Sequence, residues 1–385
     1  MKILLVSLFL PRQQANHAGG RYVFEILRQL AKHHQVTLAT RYEAGEEGEL
    51  EALRPWCREI HAQSYPAFAQ RGVVEKAQLI GSYLTFSRFA DTLIRDGDFD
   101  LIQVEWVETA FLIGRHSTPM LLDAHDVMTK PAARRWREAR GLGRVMAGVK
   151  YLLTRSVERW IVGRFDAVLT VSDFDRGYLE AMAVKTRVRT VPIPAGLDLT
   201  ERAFLPVPGT ILFLASYRHH RTNIDSALWL AQEVLPRVRE QVPEARLILA
   251  GYGPPAELLQ LAEADPCITV PGFVEDLDRC YKEAALFAAP ILTGGGMIVK
   301  ILDALAAGRP VVTTPFGNEG VGAESGRDLL VVDTAKDFAD ALVHLLRSPE
   351  LAERLGAEGK AFVARRYSPA VLLAQLESVY AEVVS

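Results

Sequence analysis

Residues 290–312 hold the densest grouping of groups able to do chemistry. An apolar run reaches Gly294, Gly295 and Gly296, a helical pattern follows with Lys300 and Asp303, and Gly308-Arg309-Pro310 turns into a second apolar run. Glycines at a helix start let backbone N–H groups approach a phosphate, and the helix dipole favours negative charge there. Lys300 adds a point charge on the first turns. Asp303, three residues on, shares its face and can accept hydrogen bonds from a ribose diol. A glycine run by itself is also a flexible turn for close helix–sheet packing, so the whole pattern carries the reading.

His125, in Asp123-Ala124-His125-Asp126, follows the apolar run Met120–Asp123. A histidine at the end of a parallel strand faces the ligand side of such a sheet, and Asp126 is placed to orient its imidazole. Glu105 ends another apolar run and is a lesser candidate for substrate binding. His219 and His220 are adjacent, with no Cys or Asp cluster behind them. Cys57, Cys267 and Cys280 stand far apart. Neither set has metal-ligand spacing, and the cysteines form no disulfide framework.

The elements that must position these groups alternate. Ile3–Leu8, Val36–Thr40, Leu101–Glu105, Met120–Asp123 and Ala167–Val171 read as strands, with a helix over Gly19–Lys32. The pattern restarts with Thr210–Ala215, a helix over Ile224–Val238, then Arg246–Ala250, Cys267–Val270, Leu286–Ala289 and Pro310–Thr313. Short apolar strands alternating with helices imply an α/β fold of parallel sheets covered on both faces. Pro206, Pro208 and Gly209 mark a linker near Thr200–Gly209. Two doubly wound domains of this kind are expected to face across a cleft at their strand C-termini. The expected division is 1–199, 209–362 and a closing helix over 363–385.

The chain has 385 residues, a natural length for two domains, and a net charge of −3, which argues against a nucleic-acid partner. The apolar start ends in Pro11-Arg12-Gln13-Gln14, which offers no signal cleavage site, and no run of apolar residues is long enough to span a bilayer. A cytoplasmic protein is expected. Residues 130–164 depart from the average: ten Lys or Arg against Glu138 and Glu158, interleaved with apolar residues. Such a segment suits an anionic membrane surface, with the protein peripheral at the inner face, and equally suits an Arg-rich helix packed by its apolar side.

The segment ending Asp303-Ala304-Leu305-Ala306-Ala307-Gly308-Arg309-Pro310-Val311-Val312 resembles the donor-binding motif of glycosyltransferase family 4. Gly196-Leu197-Asp198, Gly251-Tyr252-Gly253-Pro254 and Gly272-Phe273-Val274 fit the family in order. The resemblance is dense from about Ala167 to Val363 and thinner before, except at Gly19-Gly20 and His125. It implies a GT-B fold with a C-terminal nucleotide-sugar domain and an N-terminal acceptor domain. It implies a retaining transfer to a glycan, lipid-linked or other acceptor, the nucleotide-sugar being substrate, with no cofactor and no metal.

By that resemblance Gly19 and Gly20 line the donor phosphates and acceptor, and His125 is the active-site histidine. Arg221, with Arg218 as neighbour, and Lys300 meet the diphosphate with Gly294, Gly295 and Gly296. Gly251 follows a donor-domain strand, Phe273 and Val274 border the base, Asp303 holds the ribose, and Glu319 reaches sugar or ribose. A helix over Ala361–Glu382 crosses back to the first domain. Two departures stand out: Gly295 occupies the place of the first of two family glutamates, and Asp303 that of the second. A branch with a Gly-rich loop and a following Lys or Arg is the nearest pattern. The alternatives are a catalytically degenerate nucleotide-sugar-binding subunit, for which Gly295 is the best support, and a sugar-nucleotide epimerase. A nicotinamide dehydrogenase would need a Gly-x-Gly-x-x-Gly turn after the first strand, which Gly19-Gly20 does not supply.

Overall fold

The structure is a computed structural model. It describes residues 1–12, 18–66, 73–182, 185–195, 199, 201, 205–218, 220–293 and 296–385, apart from the side chains of residues 18 and 73–76. Two compact units form: unit 1 from Met1–Pro194 and Pro369–Ser385, and unit 2 from Ala195–Ser368.

Unit 1 is built on β1 (Lys2–Ser7), β2 (Gln35–Glu43), β3 (Glu59–Tyr65), β4 (Leu101–Glu105), β5 (Met120–Asp123), β6 (Ala167–Thr170) and β7 (Arg187–Thr190). Its helices are α1 (Ala18–Leu30), α2 (Glu47–Glu51), α3 (Val73–Asp96), α4 (Thr129–Glu138), α5 (Gly141–Val162) and α6 (Asp173–Glu180). The sheet runs β3-β2-β1-β4-β5-β6-β7, and every pair is parallel. Its order reverses between β1 and β4, the switch point at which ligands of such sheets bind, beyond the strand C-termini. Ile3, Leu4, Leu5, Val6, Val104 and Leu121 are fully buried, as strands covered on both faces require.

Unit 2 repeats the scheme with β8 (Val207–Leu214), β9 (Arg246–Ala250), β10 (Ile268–Gly272), β11 (Ala284–Ala289), β12 (Val311–Thr313) and β13 (Leu330–Val331). Between them lie α7 (Arg221–Trp229), α8 (Leu235–Arg239), α9 (Ala256–Ala264), α10 (Leu277–Glu283), α11 (Val299–Ala306) and α12 (Pro315–Asn318), and after β13 come α13 (Ala335–Arg347) and α14 (Pro349–Arg366). The order β10-β9-β8-β11-β12-β13 reverses between β8 and β11. One apolar cluster, with Phe213, Leu247 and Leu342, covers one face of this sheet. A second, with Phe287, Leu302 and Phe362, covers the other.

Two helices expected as single rods are interrupted. Over Ile224–Val238 a π turn at Leu230–Val234 joins α7 to α8, because Pro236 has no N–H to give the ladder. Over Ala361–Glu382 the chain breaks at Tyr367–Ser368, and α15 (Pro369–Val384) starts on a proline and packs in unit 1. There the Tyr380 hydroxyl bonds Gln103 on β4, and His33 bonds Glu377 at 2.6 Å.

Candidate functional sites at the two sheet switch points

In unit 1, β4 and β5 end side by side, with Glu105 opposite Asp123. The chain then turns sharply at both ends. Trp106 has φ +67° and His125 has φ +53°; among the described residues these are the only non-glycine positions in the left-handed region. Large side chains adopt that conformation at a cost, and persist in it where the surroundings over-determine them. Here the two strained residues stack, ring centroids 4.1 Å apart and planes at 13°. Tyr22 of α1 closes edge-on to the imidazole at 5.1 Å, and Phe9 edge-on to Trp106 at 4.9 Å.

The imidazole Nε2 of His125 donates to Glu105 Oε2 at 2.7 Å, and Gln103 Nε2 donates to Glu105 Oε1 at 2.6 Å. Tyr22 donates its hydroxyl to Asp123 Oδ2 at 2.8 Å, and the His125 amide reaches Asp123 Oδ1 at 3.4 Å. Glu105, not Asp126, therefore orients the imidazole. Burial pushes the Glu105 carboxyl up to about 7, and the neighbouring Asp123 pushes the same way. Burial disfavours the His125 imidazolium, but Asp123 and Glu105 outweigh it and its pKa is raised. Both shifts favour a proton held between Glu105 and His125. Ligand atoms of Glu105, Asp123 and His125 lie within 4.8 Å of one another, a grouping able to hold a metal ion. All four carboxylate oxygens already accept hydrogen bonds from Gln103, His125 and Tyr22, so this structure uses them as a proton-holding network.

Gly19 and Gly20 lie in the first turn of α1, and the Gly20 carbonyl accepts the Arg12 amide at 3.3 Å. The preceding Asn16 and His17 lie outside the described residues, as do Gly196-Leu197-Asp198, His219, Gly294 and Gly295.

In unit 2 the loops after β8 and β11 flank the switch point. Lys300, in the first turn of α11, points its Nζ to Asn223 Oδ1 of α7 at 3.1 Å, over the Phe213 ring of β8 at 4.7 Å. Asn223 is itself held, donating to the Ser216 carbonyl at 2.7 Å. Burial pulls the Lys300 ammonium down to about 7, although part of the residue still meets solvent. Asp303 is buried one turn along the same helix. Gly296 has φ +97°, and a Cβ on Gly320 would stand 2.5 Å from the Gly296 carbonyl oxygen. Glu319, half-buried, precedes this close approach at the end of α12.

Gly251 answers a similar demand. At φ +140°, a Cβ there would meet the Ala215 carbonyl oxygen at 1.6 Å, so only glycine lets the ends of β8 and β9 approach. Beyond it, Arg218 donates to the Tyr252 hydroxyl at 2.6 Å, and Tyr252 meets the exposed Phe273 ring edge-on at 6.3 Å. Val274 packs against the second core cluster. The guanidinium of Arg221 is held by Asp225 at 2.8 Å and Glu257 at 3.0 Å, and the side chain is 65% exposed. Asn223 and Tyr252 were not among the expected site residues. Their motif neighbours were visible, but the partnerships join residues on separate elements.

A model of "Glycosyltransferase Family 4" matches residues 19–201, and one of "Glycosyl transferases group 1" matches residues 208–348. The chain is 30% identical over 241 residues to the phosphatidyl-myo-inositol mannosyltransferase of Mycobacterium leprae, covering 58% of this chain and 60% of that protein. It is 24% identical over 249 residues to the putative glycosyltransferase EpsD of Bacillus subtilis, covering 60% and 64%. The chain thus matches about 60% of the length of these relatives. Sucrose-phosphate synthase from Thermosynechococcus elongatus shares the fold with a TM-score of 0.75 at 18% identity, covering 99% of each chain. Anabaena HepE, solved with UDP and glucose, does so at 0.67 and 13%, covering 99% of this chain and 100% of its own. With a glycosyltransferase model on each sheet-bearing unit and this fold throughout, the chain belongs to glycosyltransferase family 4 and has the GT-B type of architecture.

Proposed function

We propose that the chain transfers a sugar from a nucleotide-sugar donor to a glycan or lipid-linked acceptor, with retention of anomeric configuration. Unit 2 holds the donor and unit 1 (residues 1–194 with the returning helix) holds the acceptor. The observation that carries the reading is Lys300, held by Asn223 over Phe213 at the start of a helix that carries the buried Asp303. A half-desolvated ammonium there gains more from a dianionic neighbour than an exposed one, and it stabilises charge as the diphosphate leaves. Gly294, Gly295 and Gly296 bring backbone N–H groups to the phosphates, and Asp303 accepts the ribose hydroxyls. Arg218 and Tyr252, beside Phe273 and Val274, border the base. Arg221 adds long-range positive charge, and Glu319 reaches the sugar.

Retention follows a front-side displacement. The bond from the anomeric carbon to the donor phosphate oxygen breaks, the acceptor oxygen bonds on the same face, and its proton passes to the leaving phosphate. His125, oriented by Glu105, hydrogen-bonds the acceptor hydroxyl, and Gly19 and Gly20 give it room. Side-chain cations meet the phosphate charge in this scheme, so it uses no metal and no cofactor. Relatives named as mannosyltransferases of phosphatidylinositol lipids support a lipid-linked acceptor. For such an acceptor we place the enzyme in the cytoplasm, at the inner face of a membrane.

A thermal-shift screen against UDP, GDP, ADP and their sugar conjugates tests the donor assignment, since a ligand of the folded state raises its melting temperature. One nucleotide is expected to raise it, and Lys300→Ala and Asp303→Ala to abolish the rise while each variant still unfolds cooperatively. Equal shifts in both variants would refute the site. A shift without transfer or sugar release on any acceptor would make the chain a binding subunit.

A further inference from the structure

Nine of the twenty large apolar side chains exposed among the described residues fall within 136–160. Most stand on α5. Leu142, Val145, Met146, Val149, Leu152 and Leu153 are 54–79% exposed, and Trp160 follows two turns later. Their spacing of three and four residues draws one stripe along the helix. Apolar exposure is ordinary when scattered; a continuous stripe marks an interaction surface.

The stripe faces outward while the buried residues of α5 are Glu158, Ile161 and Val162 near its C-terminal end. Glu158 is fully buried and accepts the amides of Met128 and Thr129 at 2.7 and 2.9 Å, serving the N-terminus of α4. Across the hairpin, Trp136 of α4 stacks on Tyr151 at 5.1 Å, beside Gly148. Lys130 and Arg164 have structural duties, the first paired with the buried Asp175, the second donating to the Ala110 carbonyl at 2.7 Å. That leaves Arg135, Arg137, Arg140, Arg144, Lys150 and Arg159 exposed on the hairpin, with Glu138 as its one exposed acid.

We propose that α4 and α5 dock unit 1 onto an anionic lipid bilayer, α5 lying flat with its stripe in the headgroup–acyl boundary and its basic residues among the lipid phosphates. This deepens the lipid-acceptor part of the reading above and stands apart from the donor assignment. Among the described residues no helix is long and apolar enough to cross a membrane. A stripe with a basic flank fits the surface of the bilayer instead. The charge also decides against a second copy of this chain: pairing two such stripes would set six exposed cations against six more, whereas an anionic leaflet attracts them all.

The test is co-sedimentation of the full chain with vesicles of phosphatidylcholine alone or with about a third phosphatidylglycerol. Binding is expected to the anionic vesicles only, and to fall with salt over the screening range. Met146→Glu with Leu153→Glu should weaken it at least about tenfold, as should Arg137→Glu, Arg144→Glu and Lys150→Glu together. All these positions are exposed, so the melting temperature and its nucleotide-induced shift should stay as in the parent protein. Loss of that shift in the parent would instead indict the donor site. Equal binding to neutral and anionic vesicles, no binding to either, or undiminished binding by both variants overturns the proposal. So does an apolar variant that converts a dimer to a monomer while the parent ignores vesicles.

Discussion

Donor binding should draw a proton from solution, and Lys300 sets how much. Its ammonium stands over the Phe213 ring with Asn223 as hydrogen-bond acceptor, and burial lowers its pKa to about 7. A diphosphate beside it stabilises the charged form, so its pKa in the complex returns toward the ordinary lysine range. The complex then holds more protons than the free protein at every pH above about 7, and affinity must fall as pH rises. At pH 7 half of the free lysines are neutral, and binding takes up about half a proton; near pH 8.5 it takes up about one. Affinity is expected to fall about 16-fold between these two values.

Titration calorimetry in two buffers of different ionisation enthalpy counts that proton directly. The probe is the nucleotide diphosphate that raises the melting temperature. Lys300→Arg supplies the control, since a guanidinium stays charged throughout and should flatten the pH dependence at some loss of fit. Identical enthalpies in both buffers from pH 7 to 9 would show that Lys300 is already charged, or does not meet the phosphates. An unchanged pH slope in Lys300→Arg would assign the proton to another group.

Three further outcomes follow from particular residues. Glu105→Gln removes the carboxylate that raises the His125 pKa; kcat should fall about 10- to 100-fold, and the limb of its pH profile set by His125 should move to lower pH. A profile that keeps its shape would leave Glu105 a packing residue. Gly251→Ala forces a Cβ to within 1.6 Å of the Ala215 carbonyl oxygen, so it should destabilise unit 2 by about 3 kcal/mol or more, read as a lowered melting temperature. An unchanged melting temperature would contradict the close approach of β8 and β9. Arg221→Ala should change nucleotide affinity less than about threefold, because its guanidinium is exposed and held by Asp225 and Glu257, whereas Asn223→Ala should exceed that by freeing Lys300. The reverse order in calorimetry would make Arg221 the principal phosphate ligand.

What could be read from the chain alone divides along physical lines. The buried strands announced themselves, since strands covered on both faces must be apolar throughout. Three of the four edges did not: β3 and β7 alternate polar residues with few apolar ones, and β13 is two residues long, whereas the edge strand β10 was legible. Lys300 and Asp303 were visible because their relation is local, one helical turn. Asn223 is 77 residues from Lys300, and only the fold brings them together. The same holds for Glu105, 20 residues from His125, while Asp126, next in sequence, looked the better partner for the imidazole. Nearness along the chain misled there because His125 adopts positive φ and turns its ring back toward β4.

The basic hairpin shows what composition leaves open. By residue type α5 fits two orientations, and the ordinary expectation turns its leucines inward and its charges out. Its buried residues are instead Ile161, Val162 and Glu158, all in its last two turns, and Glu158 is the unusual member. Its carboxylate accepts two backbone amides and the Thr129 hydroxyl, and burial raises its pKa even so. Those donors compensate a desolvated charge that water would otherwise hold, and without them the inward position would be untenable. With Glu158, Ile161 and Val162 turned inward together, the helical repeat leaves Leu142, Met146, Val149 and Leu153 on the far side. The end of α5 is thus anchored by two apolar side chains and one compensated acid, while the longer apolar stripe stays outward, which is the reason a lipid surface is its fitting partner.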